Sequence, residues 1–263
     1  MSPSELAPRY ELARAVAREA GKLTLSYFQS DSLAVELKPD RSPVTVADRE
    51  AEQLLRERIS EQFPDDAILG EEFPEKSGTS GYRWILDPID GTKSFIHGVP
   101  LYGTLVGVEH QQRSVIGVIY LPALEECLYA AIGQGAWHER KQAPPRPAQV
   151  SSRKTLSDGL LCASDTRFPT PSRQAAYGRL QQAARVSRTW GDCYGYMLVA
   201  TGRAEVMVDP IMNVWDAAAI QPIVLEAGGT FTDWQGRETI YGGEGIATNG
   251  QVLAEVLAIT RGA

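Results

Sequence analysis

Between residues 9 and 28, apolar residues recur at helical spacing: Leu12, Val16, Ala20, Leu23 and Tyr27, with Arg14, Arg18 and Lys22 between them. This pattern predicts an amphipathic helix. A second apolar stripe, Ala51, Leu54, Leu55 and Ile59, follows Thr45 and Asp48, which have the spacing of a capping box. Phe63-Pro64 ends that helix, and Lys38-Pro39-Asp40-Arg41-Ser42-Pro43 before it is a loop by composition. The period then changes. Ala67-Ile68-Leu69 runs into Gly70-Glu71-Glu72, and Trp84-Ile85-Leu86 runs into Asp87-Pro88-Ile89-Asp90-Gly91-Thr92-Lys93-Ser94-Phe95. Short unbroken apolar runs of this kind predict buried strands. Residues 101–109 and 114–121 are β-rich around the polar turn 110–113, and Glu126 to Ala131 with the Gly133-Gln134-Gly135 turn extends them into a meander.

Lys141-Gln142-Ala143-Pro144-Pro145-Arg146-Pro147 reads as a stiff exposed connector and places a domain boundary there, dividing the chain into 1–143 and 144–263. The second half alternates. Strands are predicted at 159–163, 185–188, 204–208, 230–233 and 246–248. Helices are predicted at 172–184, at 192–202 capped by Asp192, at 215–227, and from about Gly250. Pro222 within the third of these predicts a kink or a late start.

Composition narrows the function. The 263 residues, 43% of them apolar, suffice for one large domain or two modest ones. A net charge of −7 without a basic block argues against a nucleic-acid surface. An anionic substrate stays open, because bound divalent cations invert the local field. Cys127, Cys162 and Cys193 have no metal-like spacing and cannot all pair, which fits a reducing, cytoplasmic setting. Charged residues near the N-terminus leave no room for a signal-peptide apolar region, and no run approaches the ~20 apolar residues of a membrane span.

The candidate chemistry lies where apolar elements end in acids. Glu71 and Glu72 follow one buried strand, Asp87 and Asp90 another, and Asp216 opens an apolar helix. Each has an ordinary reading as a turn acid or a helix cap. Taken together they offer hard oxygen ligands suited to Mg²⁺ rather than Zn²⁺. Gly91 lets the backbone come close to a ligand, and Thr92 puts a hydroxyl at a helix start, where freed N–H groups suit a phosphate. An aspartyl-phosphate motif would place two aspartates at spacing two, whereas here the spacing is three with Pro88 between. His97, His110 and His138 have no evident orienting partner for base catalysis.

In order and spacing, Gly70-Glu71-Glu72, Trp84-x-x-Asp87-Pro88-Ile89-Asp90-Gly91-Thr92 and Trp215-Asp216-x-Ala218-Ala219 resemble the inositol monophosphatase superfamily of Mg²⁺-dependent, Li⁺-sensitive phosphatases. The resemblance runs nearly end to end. It implies an α+β, mixed α/β fold: a layered αβαβα sandwich of the inositol monophosphatase and fructose-1,6-bisphosphatase type, with the site between two halves. It also implies a homodimer, two Mg²⁺ ions and a small phosphate monoester as substrate. A third ion is left open, since Ser42 stands where the inositol branch often has an acid. By this resemblance Glu71, Asp87 and the carbonyl of Ile89 bind one ion, and Asp87, Asp90 and Asp216 the other. Glu71 and Thr92 position the attacking water, Asp48 orients Thr92, and the backbone at Gly91 and Thr92 holds the phosphate. Residues 90–95, Gly98-Val99-Pro100 and Trp190-Gly191-Asp192-Cys193-Tyr194-Gly195-Tyr196 resemble the histidinol-phosphate phosphatase branch. His97 replaces an Arg often seen there. Asp192 and Asp209 are then partners for a cationic substrate, Asp209 standing where the inositol branch has a Glu. Inositol 1-phosphate, a broader phosphatase range and an inactive ligand-binding module are the alternatives.

Overall fold

The computed structural model describes residues 3–30, 33–141 and 143–261. The N-terminal half runs α1 (Pro3–Leu25), β1 (Val35–Leu37), β2 (Pro43–Thr45), α2 (Val46–Gln62), β3 (Ala67–Gly70), β4 (Tyr82–Asp90), α3 (Thr92–Ile96), β5 (Gly103–His110), β6 (Arg113–Leu121), β7 (Glu126–Ala131), β8 (Ala136–Arg140) and β9 (Arg146–Pro147). The remainder runs β10 (Leu160–Ala163), α4 (Pro171–Ala183), β11 (Val186–Arg188), α5 (Asp192–Ala200), β12 (Val206–Asp209), α6 (Val214–Glu226), β13 (Thr230–Thr232), β14 (Gly245–Thr248) and α7 (Leu253–Thr260).

β3 to β9 form a seven-stranded sheet in sequence order, with β3 parallel to β4 and the other pairs antiparallel. A five-stranded sheet has the order β11-β10-β12-β14-β13. Both faces of the first sheet are covered, so its strands are apolar on both sides. Trp84, Leu86, Val106 and Val118 pack against α1 and α2, while Ile85, Leu105 and Ile119 pack against α5 and α6. The second sheet meets the same middle helices through Cys162, Met207, Phe231 and Ala247, and its outer face carries α4 and α7. The layers are therefore αβαβα. No helix is long and apolar enough to cross a membrane among the described residues.

Several local expectations are corrected. The first helix starts at Pro3 and stops at Leu25, and Tyr27 falls in the turn beyond, packed with Phe95 and Tyr102. The proline-rich connector contributes β9, which pairs with β8 at the sheet edge, where a proline's missing N–H costs no ladder bond. Asp192 is not the cap of α5; Gly191 holds that position, and Asp192 itself has φ +52°. Pro222 neither delays α6 nor stops it, because the helix runs from Val214 through Pro222 to Glu226. Its missing N–H deprives the Ala218 carbonyl of a helical donor. Ser114 Oγ on β6 donates to that carbonyl instead. The contact needs α6 close to the sheet, and Gly117 permits it: a Cβ there would lie 1.9 Å from Ala219 O.

Candidate metal centre

Parallel pairing of β3 with β4 sets Gly70 opposite Leu86, so Glu71 and Asp87 leave the sheet side by side. Glu52 of α2 fixes the turn after β3, accepting from the backbone N–H groups of Glu72 (2.7 Å) and Phe73 (3.2 Å). Along β4 the register against β5 slips: Asp87 faces Leu105 but Asp90 faces Gly103. Three steps on β4 thus match two on β5. A spacing of three would otherwise put the two aspartates on opposite faces, and the irregularity returns both to one face. Asp216 enters from the middle layer, in the first turn of α6 after Asn213, whose backbone N–H it accepts at 2.6 Å.

One carboxylate oxygen each from Asp87, Asp90 and Asp216 lie within 4.8 Å of one another. They line a cleft of about 200 Å³ together with Glu71, Ile89, Gly91, Thr92, Lys93 and Asp192. A larger cavity of about 740 Å³ adjoins it, sharing Asp90, Lys93, Asp192 and Asp216 and adding Ser164, Trp190, Tyr196 and Asp209. Asp48 lines neither. Its Oδ2 accepts from Thr45 N–H (2.7 Å) and Thr45 Oγ1 (2.6 Å), the capping box expected from the sequence. Thr92 Oγ1 donates to Ile89 O at 3.0 Å, not to Asp48, so the orienting bond expected between those two is not formed. None of the three histidines lines either cavity.

The electrostatics are those of an anionic site short of positive charge. Burial, then the neighbouring Glu71, Asp90 and Asp216 carboxylates, push Asp87 well above the usual carboxylate range. Asp90 is raised by burial and by Asp192 and Asp216. Burial lifts Asp216 to about 6 and Glu71 to about 7, and Glu71 stays that high although Lys38 opposes the shift. Like charges crowded in a low-dielectric cleft raise one another in this way, and a hard divalent cation relieves them. The donor set, all oxygens with a backbone carbonyl at Ile89, fits Mg²⁺.

Gly91 has φ +88°, a conformation few other residues adopt, and this turns the chain from β4 into α3. Asp192 lies across from it, close enough that a Cβ on Gly91 would sit 3.1 Å from its Oδ2. Burial raises Asp192 to about 6 against the pull of Lys93 and Ser164. Asp209 is buried, accepts from Tyr196 OH at 2.8 Å, and is raised by burial to about 7. Its Oδ1 has no hydrogen bond of good geometry. Two further groups join the site without a signal of their own in the sequence. Lys38, whose Nζ lies 2.7 Å from Glu71 and 2.6 Å from Glu72, belongs to a segment that reads only as a loop. Tyr196 lies in the Trp190–Tyr196 stretch, but nothing in the sequence pairs it with Asp209.

Carboxylates drawn from two distant chain segments meet in one cleft, beside a left-handed turn, and form a cluster that could hold a metal ion in a layered α/β sandwich. The sequence model of the inositol monophosphatase family matches residues 5–262, and the chain belongs to that metal-dependent family. It is 46% identical over 253 residues to the histidinol-phosphatase of Chlorobaculum parvum, covering 96% of each chain. It is 38% identical to the histidinol-phosphatase of Mycobacterium tuberculosis, over 94% of this chain and 95% of that one. Among solved structures, the extragenic suppressor protein SuhB of Bartonella henselae superimposes with a TM-score of 0.88 at 28% identity, covering 96% of this chain and 98% of that one.

Proposed function

We propose that this chain is a Mg²⁺-dependent phosphomonoester hydrolase that converts L-histidinol phosphate and water to L-histidinol and phosphate. The observation that carries this reading is the Asp87–Asp90–Asp216 cluster in a chain 46% identical to a histidinol-phosphatase. Glu71, Asp87, Asp90, Asp216 and the Ile89 carbonyl would hold two ions. Residues 1–143 supply four of these ligands, and residues 144–263 supply Asp216 and the acids facing the substrate. Bound Mg²⁺ supplies a water of lowered pKa and neutralises charge on the phosphoryl oxygens.

The protein's own part is positioning. The backbone turn at Gly91 and Thr92 presents N–H groups to the phosphoryl oxygens. Glu71 and the Thr92 hydroxyl orient the water for in-line displacement, which passes through no covalent phosphoenzyme. Asp48 acts through the start of α2, which it caps with Thr45, rather than by bonding Thr92. The leaving alcohol lies in the larger cavity. Its amine and imidazole meet Asp192 and Asp209, carboxylates that suit N–H donors. The working form is a homodimer in the cytoplasm, with no nucleic-acid or membrane partner.

The test is a side-by-side comparison of kcat/KM on histidinol phosphate and inositol 1-phosphate, with Mg²⁺ and with chelator. Mg²⁺-dependent preference for histidinol phosphate supports the proposal, and preference for inositol 1-phosphate replaces its substrate while leaving its chemistry.

A further inference from the structure

At the far edge of the seven-stranded sheet is a separate cavity, of about 320 Å³, that shares no lining residue with the acidic clefts. His138, Arg140, Arg146 and Arg203 line it, with Thr201 and Gln149, and none of its lining residues is acidic. That is unusual in a chain with 33 acidic against 26 basic residues.

Strand register builds this wall. Arg140 pairs across from Glu126, and Arg146 across from His138, so all four side chains leave one face of the sheet. This is the face turned toward the second half of the chain, which contributes Arg203 just beyond α5. Glu126, with only 7% of its side chain exposed, organises the cations from beneath. It accepts from His138 Nε2 at 2.9 Å and Arg140 Nε at 3.1 Å, and lies 3.5 Å from Arg203 Nη2. Burial of Glu126 is outweighed by these partners, which hold its carboxyl below the usual range. Thr201 Oγ1 accepts from Arg203 Nε at 2.8 Å and fixes that guanidinium.

Glu126 thus pairs with two guanidiniums, Arg140 and Arg203, and Arg146 adds a third beside them on the cavity wall, a surplus of two positive charges. Donor capacity is left over. Arg203 Nη2 is buried and reaches Glu126 only as a long ion pair, without a hydrogen bond of good geometry. The Arg146 side chain makes no ion pair or hydrogen bond with any described residue, its ladder pairing with His138 being through the backbone. Guanidinium forks converging from separate elements match the oxygens of a tetrahedral dianion.

We propose that this cavity is a second anion site, distinct from the catalytic cleft, that binds a phosphoryl dianion through Arg140, Arg146 and Arg203. Free phosphate and the phosphate group of an ester present the same oxygens, and the two are separated by experiment. The full-length protein in chelator is titrated calorimetrically with inorganic phosphate and, separately, with methyl phosphate, against potassium chloride of equal ionic strength. Without Mg²⁺ the acidic cleft repels both anions, so binding reports on this cavity, whichever substrate the enzyme uses.

Saturable binding is expected, weakened at least about tenfold in R146Q by loss of one charge-assisted contact. R146Q keeps the β9 backbone and removes an exposed side chain without a partner among the described residues, so the fold is expected to be unaffected. R203Q, checked for folding by circular dichroism, is expected to weaken binding as well. Binding of phosphate alone identifies the free ion as the occupant, and binding of both identifies the phosphoryl group. No saturable binding of either, or the same affinity in R146Q, overturns the site.

Discussion

Lys38 Nζ lies 2.7 Å from Glu71 Oε1, in the place where positive charge is scarcest. The Lys38 side chain is four-fifths buried, and its ammonium bridges to Glu72 at 2.6 Å as well. It serves as a built-in counter-ion for an acid that lines the same cleft as the Asp87–Asp90–Asp216 cluster. Removing one partner of such a pair strands the other. K38M is therefore expected to lower the stability of the chelated protein by about 1–3 kcal/mol. Saturating Mg²⁺ should erase most of that loss, because the ion then supplies the charge. Denaturant melts with and without Mg²⁺ check this; an equal loss in both conditions would refute the counter-ion role.

Mg²⁺ should stabilise the protein more as pH rises. Burial holds Glu71 and Asp209 at about 7 and Asp48, Asp192 and Asp216 at about 6. Ordinary values lie near 4. Without metal, the folded state binds more protons than the unfolded chain from about pH 4 to pH 7, so the contribution of these groups to stability falls as pH rises through that window. Ligand carboxylates must be ionised to hold the cation. The melting temperature in Mg²⁺ minus that in chelator is thus expected to grow between about pH 5 and pH 8. A flat difference would contradict it.

Asp90→Asn and Asp216→Asn should each reduce turnover by roughly a thousandfold or more, since each removes a ligand charge that supports transition-state stabilisation. Neither should harm the chelated fold. Loss of a crowded negative charge is expected to leave the metal-free melting temperature unchanged or raised. A variant with wild-type Mg²⁺-dependent turnover would remove that residue from the site.

Asp209→Asn tests the substrate. Replacing a charged acceptor by a neutral one should raise KM for histidinol phosphate about 10- to 100-fold, with a smaller effect on inositol 1-phosphate. Equal losses on both substrates would mean that Asp209 acts through the fold, by its bond to Tyr196, rather than on the cationic alcohol.

The bond from Ser114 to the Ala218 carbonyl predicts a coupled pair. S114A leaves that carbonyl buried without a donor, at a cost of about 1–3 kcal/mol. P222A restores a helical N–H in reach of it, so S114A should cost less in the P222A background. A coupling of at least about 0.5 kcal/mol in a double-mutant cycle is expected, and additivity would count against the compensation.

The sequence by itself marked acids that the fold brings to one cleft, and most of the elements that carry them. Glu71, Asp87, Asp90, Thr92 and Asp216, which line that cleft, were legible because acids and turn residues interrupt apolar runs, and those runs are long enough to read. The capping box at Thr45 and Asp48 was legible for the same local reason. Tertiary structure alone decided which partner each side chain takes. Lys38 meets Glu71, Ser114 meets Ala218, and Arg203 joins Arg140 and Arg146, across separations that leave no periodic trace in the chain. The slip between β4 and β5 belongs here too, for it depends on a neighbouring strand. Local pattern records whether a residue is buried; which distant group shares its environment follows from how the layers stack.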